Sequence, residues 1–446
     1  MRTYYVRTFG CQMNKHDSER IAGVLEDALG LLPAESPQEA DVVVFNTCAV
    51  REGAEERLRG QVSSLKAAKT VDPDVIIAVG GCIGQRDGET LLSYLPHVDV
   101  VFGTQNIDHL PLLIASAHAT RSPVVERLDE SSTFASDLPA VRESSWHAWL
   151  PITVGCDNFC TYCVVPYVRG RERSRAFEDI VAEAERLVGD GVLEITLLGQ
   201  NVNSYGRDRY GEPRFAEVLR AVARTGVKRV RFVTSHPKDL SDATIEVMAS
   251  EPAVCNYLHL PVQSGSNRVL TAMNRHYTRE QYLALVERLY GALPDLALST
   301  DVIVGFPGET PEDFADTLDL VKRCRFDQAF TFLYSPRRGT PAATMSDQVA
   351  SDVAQERFER LVEAVQASAK LKNEALLGTV QEVLIEGASK RDPRALAGRT
   401  ASNKVVHAPL PGGTDAASLA GAFAKVRIQE AHTWFLSGVL EGYERP

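Results

Sequence analysis

Gly155-Cys156-Asp157-Asn158-Phe159-Cys160-Thr161-Tyr162-Cys163 sets three cysteines in a C-x3-C-x2-C arrangement, directly after the apolar run Trp149–Val154. Three thiolates this close along the chain can converge on one site. Iron takes thiolate ligands readily, and three ligands for a cube of four irons leave one iron open to something other than protein. The competing reading is structural zinc, which wants a fourth ligand. His147 is the nearby candidate, and it precedes the strand rather than flanking the loop.

Just downstream, Arg169-Gly-Arg171-Glu-Arg173-Ser-Arg175 places four arginines at every second position. Were the stretch extended, Arg169, Arg171, Arg173 and Arg175 would share one face. Guanidinium forks suit bidentate phosphate contacts, so the run reads as a grip on an anionic substrate; a solvated, salt-bridged loop is the plainer alternative.

Upstream, one pattern occurs three times. Tyr4–Cys11, Asp41–Cys48 and Asp74–Cys82 each end an apolar, β-branched or aromatic run with a cysteine in a small or polar turn, and helical stretches follow at Asp17–Leu29 and Glu52–Lys69. This predicts an open parallel α/β sheet, in which functional groups gather at the carboxyl ends of the strands. Cys11, Cys48 and Cys82 would thereby form a second thiolate trio. Buried cysteine is also a common small hydrophobe, but packing alone poorly explains its return at the same end of three strands. Cys255 and Cys324 lack ligand spacing and read as core.

From about Ser145, six candidate strands alternate with helix-like segments: Leu150–Val154, Glu194–Gln200, Arg229–Ser235, Asn256–Gln263, Leu298–Gly305 and Phe326–Ser335. Six βα units are two short of a closed eight-stranded barrel, so a partial (β/α)6 barrel is expected. The turns after these strands are rich in glycine, proline and polar residues. His236 and His259 read as structural. A long helix over Val349–Ala375 leads to short strands with glycine turns, which predict a small antiparallel β-barrel. The expected division is therefore residues 1–125, a linker at 126–144, a central domain at 145–370 and a terminal module at 371–446. The loop Pro409–Ser418 reads as an insertion, and the polar stretch Asp129–Thr133 lies in the linker.

Composition narrows the function. A chain of 446 residues with 44% hydrophobic and 24% charged residues is an ordinary globular protein of several domains. No apolar stretch is long enough to span a membrane, and the opening residues lack a signal-peptide pattern, so a cytoplasmic protein is expected. Eight cysteines are too sparse for a disulfide scaffold. The net charge of −11 argues against indiscriminate nucleic-acid binding. Residues 371–446 hold nine Lys and Arg against eight Asp and Glu, a local balance compatible with RNA.

Thr8–Asn14, Asn46–Glu52, Gly155–Arg175 and Leu197–Tyr205, taken with Gly81-Cys-Ile-Gly-Gln-Arg86, resemble the methylthiotransferase family of radical S-adenosylmethionine (SAM) enzymes over essentially the whole chain. Ile83 and Gly84 depart slightly from the usual pattern. The resemblance implies two 4Fe-4S clusters, one on Cys156, Cys160 and Cys163 that cleaves SAM to a radical, and one on Cys11, Cys48 and Cys82 that carries the sulfur to be inserted. No protein acid or base is required. The implied reaction places a methylthio group at C2 of N6-isopentenyladenosine beside the anticodon of tRNA. Relatives acting on threonylcarbamoyl-adenosine or on a ribosomal-protein aspartate are the alternatives within the family, and a non-catalytic RNA-binding iron–sulfur sensor is the alternative outside it. By analogy Gly199, Gln200, Gln263, Ser264 and Gly305 line the SAM pocket. The terminal module resembles a TRAM domain, with Arg399 and Lys404 as its phosphate contacts beside the four arginines of the central run. Expected partners are tRNA carrying N6-isopentenyladenosine, a flavodoxin- or ferredoxin-type electron donor, and a sulfur donor or iron–sulfur carrier, with no membrane and a monomeric state.

Overall fold

The computed structural model describes residues 1–446 except 50–52, 130–133, 412–413 and 446. The end of the Asn46–Glu52 motif, most of the Asp129–Thr133 stretch and two glycines of the Pro409–Ser418 loop therefore lie outside the described residues. The chain forms two compact units. One comprises Met1–Glu143 with Thr153–Phe159 and Cys163–Arg175; the other comprises Ser144–Ile152, Cys160–Tyr162 and Ala176–Pro446.

In the first unit, six parallel strands lie in the order Leu32–Pro33, Thr3–Thr8, Val42–Thr47, Ile76–Gly80, Val100–Phe102, Val124–Glu126. Successive strand residues point to opposite faces, and here both faces are apolar. Val43, Phe45, Ile77, Val79 and Val101 join one core, and Tyr4, Val42, Val44, Ile76, Ala78 and Val100 join another. Continuous Val/Ile runs are what a parallel sheet covered on both sides demands. The helix Gln12–Leu29 covers one side through Ile21, Val24 and Leu25 and ends at Gly30 in the left-handed conformation, a common helix stop.

In the same unit, Thr153–Val154 pairs antiparallel with Arg173–Ser174, and the helix Val165–Arg169 presses Val164 and Val168 into the core. The arginine run is thus not extended throughout. Pro166 starts a helical turn and Gly170 ends it, so Arg169 closes a helix while Arg173 lies on a strand.

The second unit carries the six expected strands as two parallel sheets, His147–Pro151, Glu194–Leu198 and Arg229–Phe232 in one, Tyr257–His259, Ala297–Val304 and Gln328–Leu333 in the other. A bridge from Val230 to Val254 and the bond from Cys255 N–H to the Val230 carbonyl join them in strand order. Ile195, Leu197, Val230, Phe232, Leu298 and Val302 face a single core shared with the surrounding helices. Removing each such side chain from water contributes roughly 1.5–3 kcal/mol. The long helix runs Ser351–Glu374 and buries Ala354, Arg357, Leu361, Val365 and Ala369, a single stripe at helical spacing.

The chain closes with a five-stranded barrel of Val380–Ala388, Ala395–Thr400, Val405–Pro409, Phe435–Glu444 and Phe423–Ala431. Its filling includes Val383, Ile385, Leu396, Val406, Val426 and Leu436. Closure leaves no sheet edge to manage.

Candidate metal centres at the strand ends

Cys11 caps the helix Gln12–Leu29, Cys48 follows Val42–Thr47, and Cys82 opens the helix Gly81–Asp87 after Ile76–Gly80. All three stand at the carboxyl end of adjacent parallel strands. Two glycines let these loops meet. A Cβ on Gly10, whose φ is 127°, would lie 2.5 Å from the Cys48 Cβ; one on Gly81, whose φ is 80°, would lie 2.5 Å from Asn46 Oδ1 and 2.6 Å from the Thr47 carbonyl. No real Cβ tolerates such distances, so the Gly-Cys pairs are what bring the cysteines together.

Buried polar groups lock this convergence. Asn14 Nδ2 donates to Asn46 Oδ1 at 3.2 Å and to the Thr47 carbonyl at 2.9 Å, Asn46 Nδ2 donates back to the Asn14 carbonyl at 2.9 Å, and Cys11 Sγ meets Asn14 Oδ1 at 3.3 Å. Thr47 Oγ1 bonds the Gly80 carbonyl and accepts from Ile83 N–H. Burial pushes the Cys82 thiol up to about 11. The Arg169 guanidinium, which donates toward it, works the other way, and the Cys48 and Cys11 thiols reinforce the rise. Arg169 is itself buried against Asp17 Oδ2 at 2.8 Å. Burial opposes the charge on Asp17, yet Arg169 and then His16 hold its carboxyl below the ordinary value.

Among the described residues no three His, Cys, Asp or Glu side chains close around a single metal ion. A polynuclear iron–sulfur group asks instead for thiolates at separate corners. The loop-end thiols, Cys48 and Cys82 buried and Cys11 half-buried, fit such an anionic group together with the neighbouring guanidinium.

Cys156 donates its backbone N–H to the Gly170 carbonyl, and Cys163 Sγ accepts from Val165 N–H at 3.5 Å. In the other unit, Cys160 Sγ accepts from Arg275 Nη1 at 3.4 Å. His147, the fourth ligand a zinc reading needs, meets Thr196 Oγ1 at 3.1 Å across its sheet.

The barrel strands end in unsatisfied polar groups. Asn201 Oδ1, Asn203 Nδ2, Ser235 Oγ and His236 Nε2 are buried without a hydrogen-bond partner, at the carboxyl ends of the neighbouring strands Glu194–Leu198 and Arg229–Phe232. Orphaned buried groups are rare in folded proteins, and four at one strand-end cluster fit a polar ligand. Burial, followed by the charge of Arg275, drives His236 well below its ordinary pKa. It is therefore neutral; its Nδ1 accepts from Lys238 N–H, which leaves the proton on Nε2. Thr234 and Gln263 both have positive φ, 68° and 70°, an uncommon conformation for non-glycine residues that concentrates at working sites.

Of the residues expected at the SAM pocket, Gly199 and Gln200 immediately precede this cluster, and Gln263 lies four residues beyond the next strand, bridged to Val302. Ser264 is differently engaged: it is fully buried, its Oγ accepting from Ser266 N–H and meeting Thr317 Oγ1. Gly305 packs where a Cβ would lie 2.8 Å from the Ala354 Cβ, and its N–H donates to Glu309.

The expected phosphate contacts separate. Arg171 is exposed and paired with Asp157 at 2.7 Å, and Arg173 donates to Gln105 Oε1 at 3.0 Å. Arg169 and Arg175 are buried, Arg175 with Asp137 at 3.8 Å. They cannot reach a phosphate where they stand. Lys404 Nζ lies 2.7 Å from both Asp327 Oδ1 and Asn373 Oδ1, which ties the terminal barrel to the central one and withdraws this lysine from solvent. Arg399 pairs with Glu386 at 2.8 Å and stays partly exposed. Cys255 and Cys324 are core, as expected; burial pushes the Cys324 thiol up to about 12.

Asn14, Asn46, Asp17 and Arg275 are the functional neighbours that sequence reasoning passed over. Asn14 and Asn46 do stand inside motifs quoted for their cysteines, three residues after Cys11 and two before Cys48. That proximity was the available signal.

Three sequence families match successive parts of the chain. The sequence model of the Radical SAM superfamily matches residues 150–321, that of Uncharacterized protein family UPF0004 matches 3–103, and that of the TRAM domain matches 374–440. A curated relative from Carboxydothermus hydrogenoformans, named tRNA-2-methylthio-N(6)-dimethylallyladenosine synthase, is 49% identical over 98% of this chain and 99% of its own. One of the same name from Acidothermus cellulolyticus is 53% identical over 91% of this chain and 82% of its own. Among solved structures, the radical S-adenosylmethionine methyltransferase TsrM from Kitasatospora setae superposes with a TM-score of 0.58 at 15% identity, covering 77% of this chain and 75% of its own. At that identity the likeness is one of fold.

Proposed function

The chain belongs to the radical SAM methylthiotransferases represented by the tRNA-2-methylthio-N(6)-dimethylallyladenosine synthases, and we propose that it inserts a methylthio group at C2 of N6-isopentenyladenosine in tRNA, beside the anticodon. It is an enzyme that transfers a methylthio group, and its family implies SAM and a 4Fe-4S cluster.

The observation that carries the finer reading is the meeting of the Cys11, Cys48 and Cys82 loops at the carboxyl end of one sheet, enforced at Gly10 and Gly81. An enzyme that only cleaved SAM would have no use for a second thiolate trio. In this reading Cys156, Cys160 and Cys163 hold one cluster, and Cys11, Cys48 and Cys82 hold a second that provides the sulfur. Together with SAM these groups supply the one-electron chemistry that an unactivated C2–H bond demands.

The side chains do the rest. Asn14 and Asn46 fix the loops that present Cys11 and Cys48. Asn201, Asn203, Ser235 and His236 offer donors and acceptors to SAM at the barrel mouth, beside Gly199, Gln200 and Gln263. His236 stays neutral and donates from Nε2, so it binds rather than exchanges a proton. Exposed Arg171 and the partly exposed Arg399 are the phosphate contacts that remain available for tRNA. A flavodoxin- or ferredoxin-type protein would deliver electrons, and a sulfur donor or iron–sulfur carrier would renew the inserted sulfur.

Nucleoside analysis of bulk tRNA from a deletion strain tests the assignment. Loss of 2-methylthio-N6-isopentenyladenosine is expected, with N6-isopentenyladenosine accumulating. Unchanged levels, or loss of a methylthiolated threonylcarbamoyl-adenosine instead, would overturn it.

A further inference from the structure

Arg275 is 4% exposed, and each arm of its guanidinium is engaged. Nε donates to Tyr277 OH at 3.2 Å, Nη1 to Cys160 Sγ at 3.4 Å and to Tyr162 OH at 3.5 Å, and Nη2 to the Pro261 carbonyl at 2.9 Å. The group also lies 5.4 Å from the centre of the Tyr277 ring. Among the described residues no carboxylate pairs with it. Four other buried arginines differ: Arg169 holds Asp17, Arg229 holds Glu382, Arg231 holds Glu194 and Arg357 holds Glu309.

A buried cation without a counter-ion is costly and persists only where an anion completes it. Neutral phenols and a carbonyl solvate the guanidinium but do not balance its charge. The neighbouring His236 is neutral and adds none. The remaining contact is the sulfur of Cys160, which is anionic whenever it acts as a metal ligand.

We propose that Arg275 is the fixed counter-cation of Cys160, a positioning residue that holds the thiolate by a charge-assisted hydrogen bond and makes the cluster anchored there easier to reduce. The proposal rests on the cluster reading above. One-electron reduction by a low-potential donor adds one negative charge and no proton, so a buried positive charge at hydrogen-bond distance from a ligand sulfur favours the reduced state. Arginine suits this role because it cannot shed its proton.

The test is a redox titration followed by electron paramagnetic resonance, without SAM, on the full chain with Cys11, Cys48 and Cys82 all replaced by alanine, so that one cluster is observed. Arg275→Gln should lower the ratio of reduced to oxidised cluster at fixed potential at least tenfold, a midpoint shift of about 59 mV for a one-electron couple, while Arg275→Lys keeps most of the parent value. Loss of iron in Arg275→Gln with retention in Arg275→Lys supports the same requirement for charge. A parent-like midpoint in Arg275→Gln, or equal damage in both variants, overturns the proposal. So does an unchanged midpoint with weakened SAM binding, which would make the SAM carboxylate the missing anion. A parent that takes up no iron at this loop overturns the cluster reading itself.

Discussion

Cysteines that look alike along the chain are expected to fail differently. Cys156→Ala should abolish formation of 5'-deoxyadenosine from SAM, whereas Cys48→Ala should retain part of it and lose methylthio insertion; both are read by assaying nucleoside and tRNA products in parallel, and equal loss in the two variants would contradict the division of labour. Gly10→Ala tests why the first trio meets at all. Its Cβ would collide with Cys48 while the sheet beneath stays intact, so the variant should keep its circular dichroism and lose iron from the N-terminal site. The strand-end placement of Cys11, Cys48 and Cys82 was legible in the sequence, because the apolar runs and the Gly-Cys pairs report backbone position directly. Asn14, Asn46 and Arg275 were not, since their partners lie 32, 33 and 115 residues away and neither periodicity nor local spacing encodes such a pairing.

The helix Pro311–Cys324 shows how its end groups set a measurable stability. Thr310 caps it with Asp313 reaching back in a capping box, and Arg268 and Ser266 also hold the Asp313 carboxylate. Burial opposes that charge, but these partners bring Asp313 down to about 2 from the ordinary 3.8. A depressed carboxylate stabilises the fold while ionised, so its contribution is complete above the ordinary value and is lost as pH falls toward 2. In acid titrations of the metal-free protein followed by circular dichroism, Asp313→Asn should flatten the loss of stability between pH 3.8 and 2. Thr310→Ala should cost about 1 kcal/mol in urea unfolding. Elements of this kind were largely readable: the six barrel strands and the long helix lie within a few residues of their expected bounds. The arginine run was not. Its two-residue alternation suggested one shared face if the run were extended, yet Pro166 and Gly170 impose a helical turn on its start, and burial takes Arg169 and Arg175 out of reach of a phosphate.

The terminal barrel is fastened to the central one by two buried cations, one of which, Lys404, the sequence suggested for RNA. Arg231 bonds Glu194 and reaches the Thr400 and Ala401 carbonyls, and Lys404 reaches Asp327 and Asn373. Removing one partner of a buried pair leaves the other uncompensated, so Arg231→Ala should cost about 3–5 kcal/mol in denaturant unfolding. Lys404→Ala should likewise lower the melting temperature while leaving the salt dependence of tRNA binding unchanged; a lost phosphate contact would instead reduce that slope by about 1. The open parallel sheet, the alternating βα units and the terminal barrel could be read from the sequence because each has its own pattern of apolar spacing, while these links between the two barrels could not, because charged side chains carry no mark of what they will face. Among the described residues no helix is long and apolar enough to cross a membrane. What remains decisive is the inorganic content of the two thiolate trios. Iron and sulfide analysis with Mössbauer spectroscopy on the anaerobically reconstituted chain should find two 4Fe-4S clusters, of which one survives replacement of Cys11, Cys48 and Cys82 by alanine. A single cluster in the unaltered chain, or zinc in place of iron, would contradict the account.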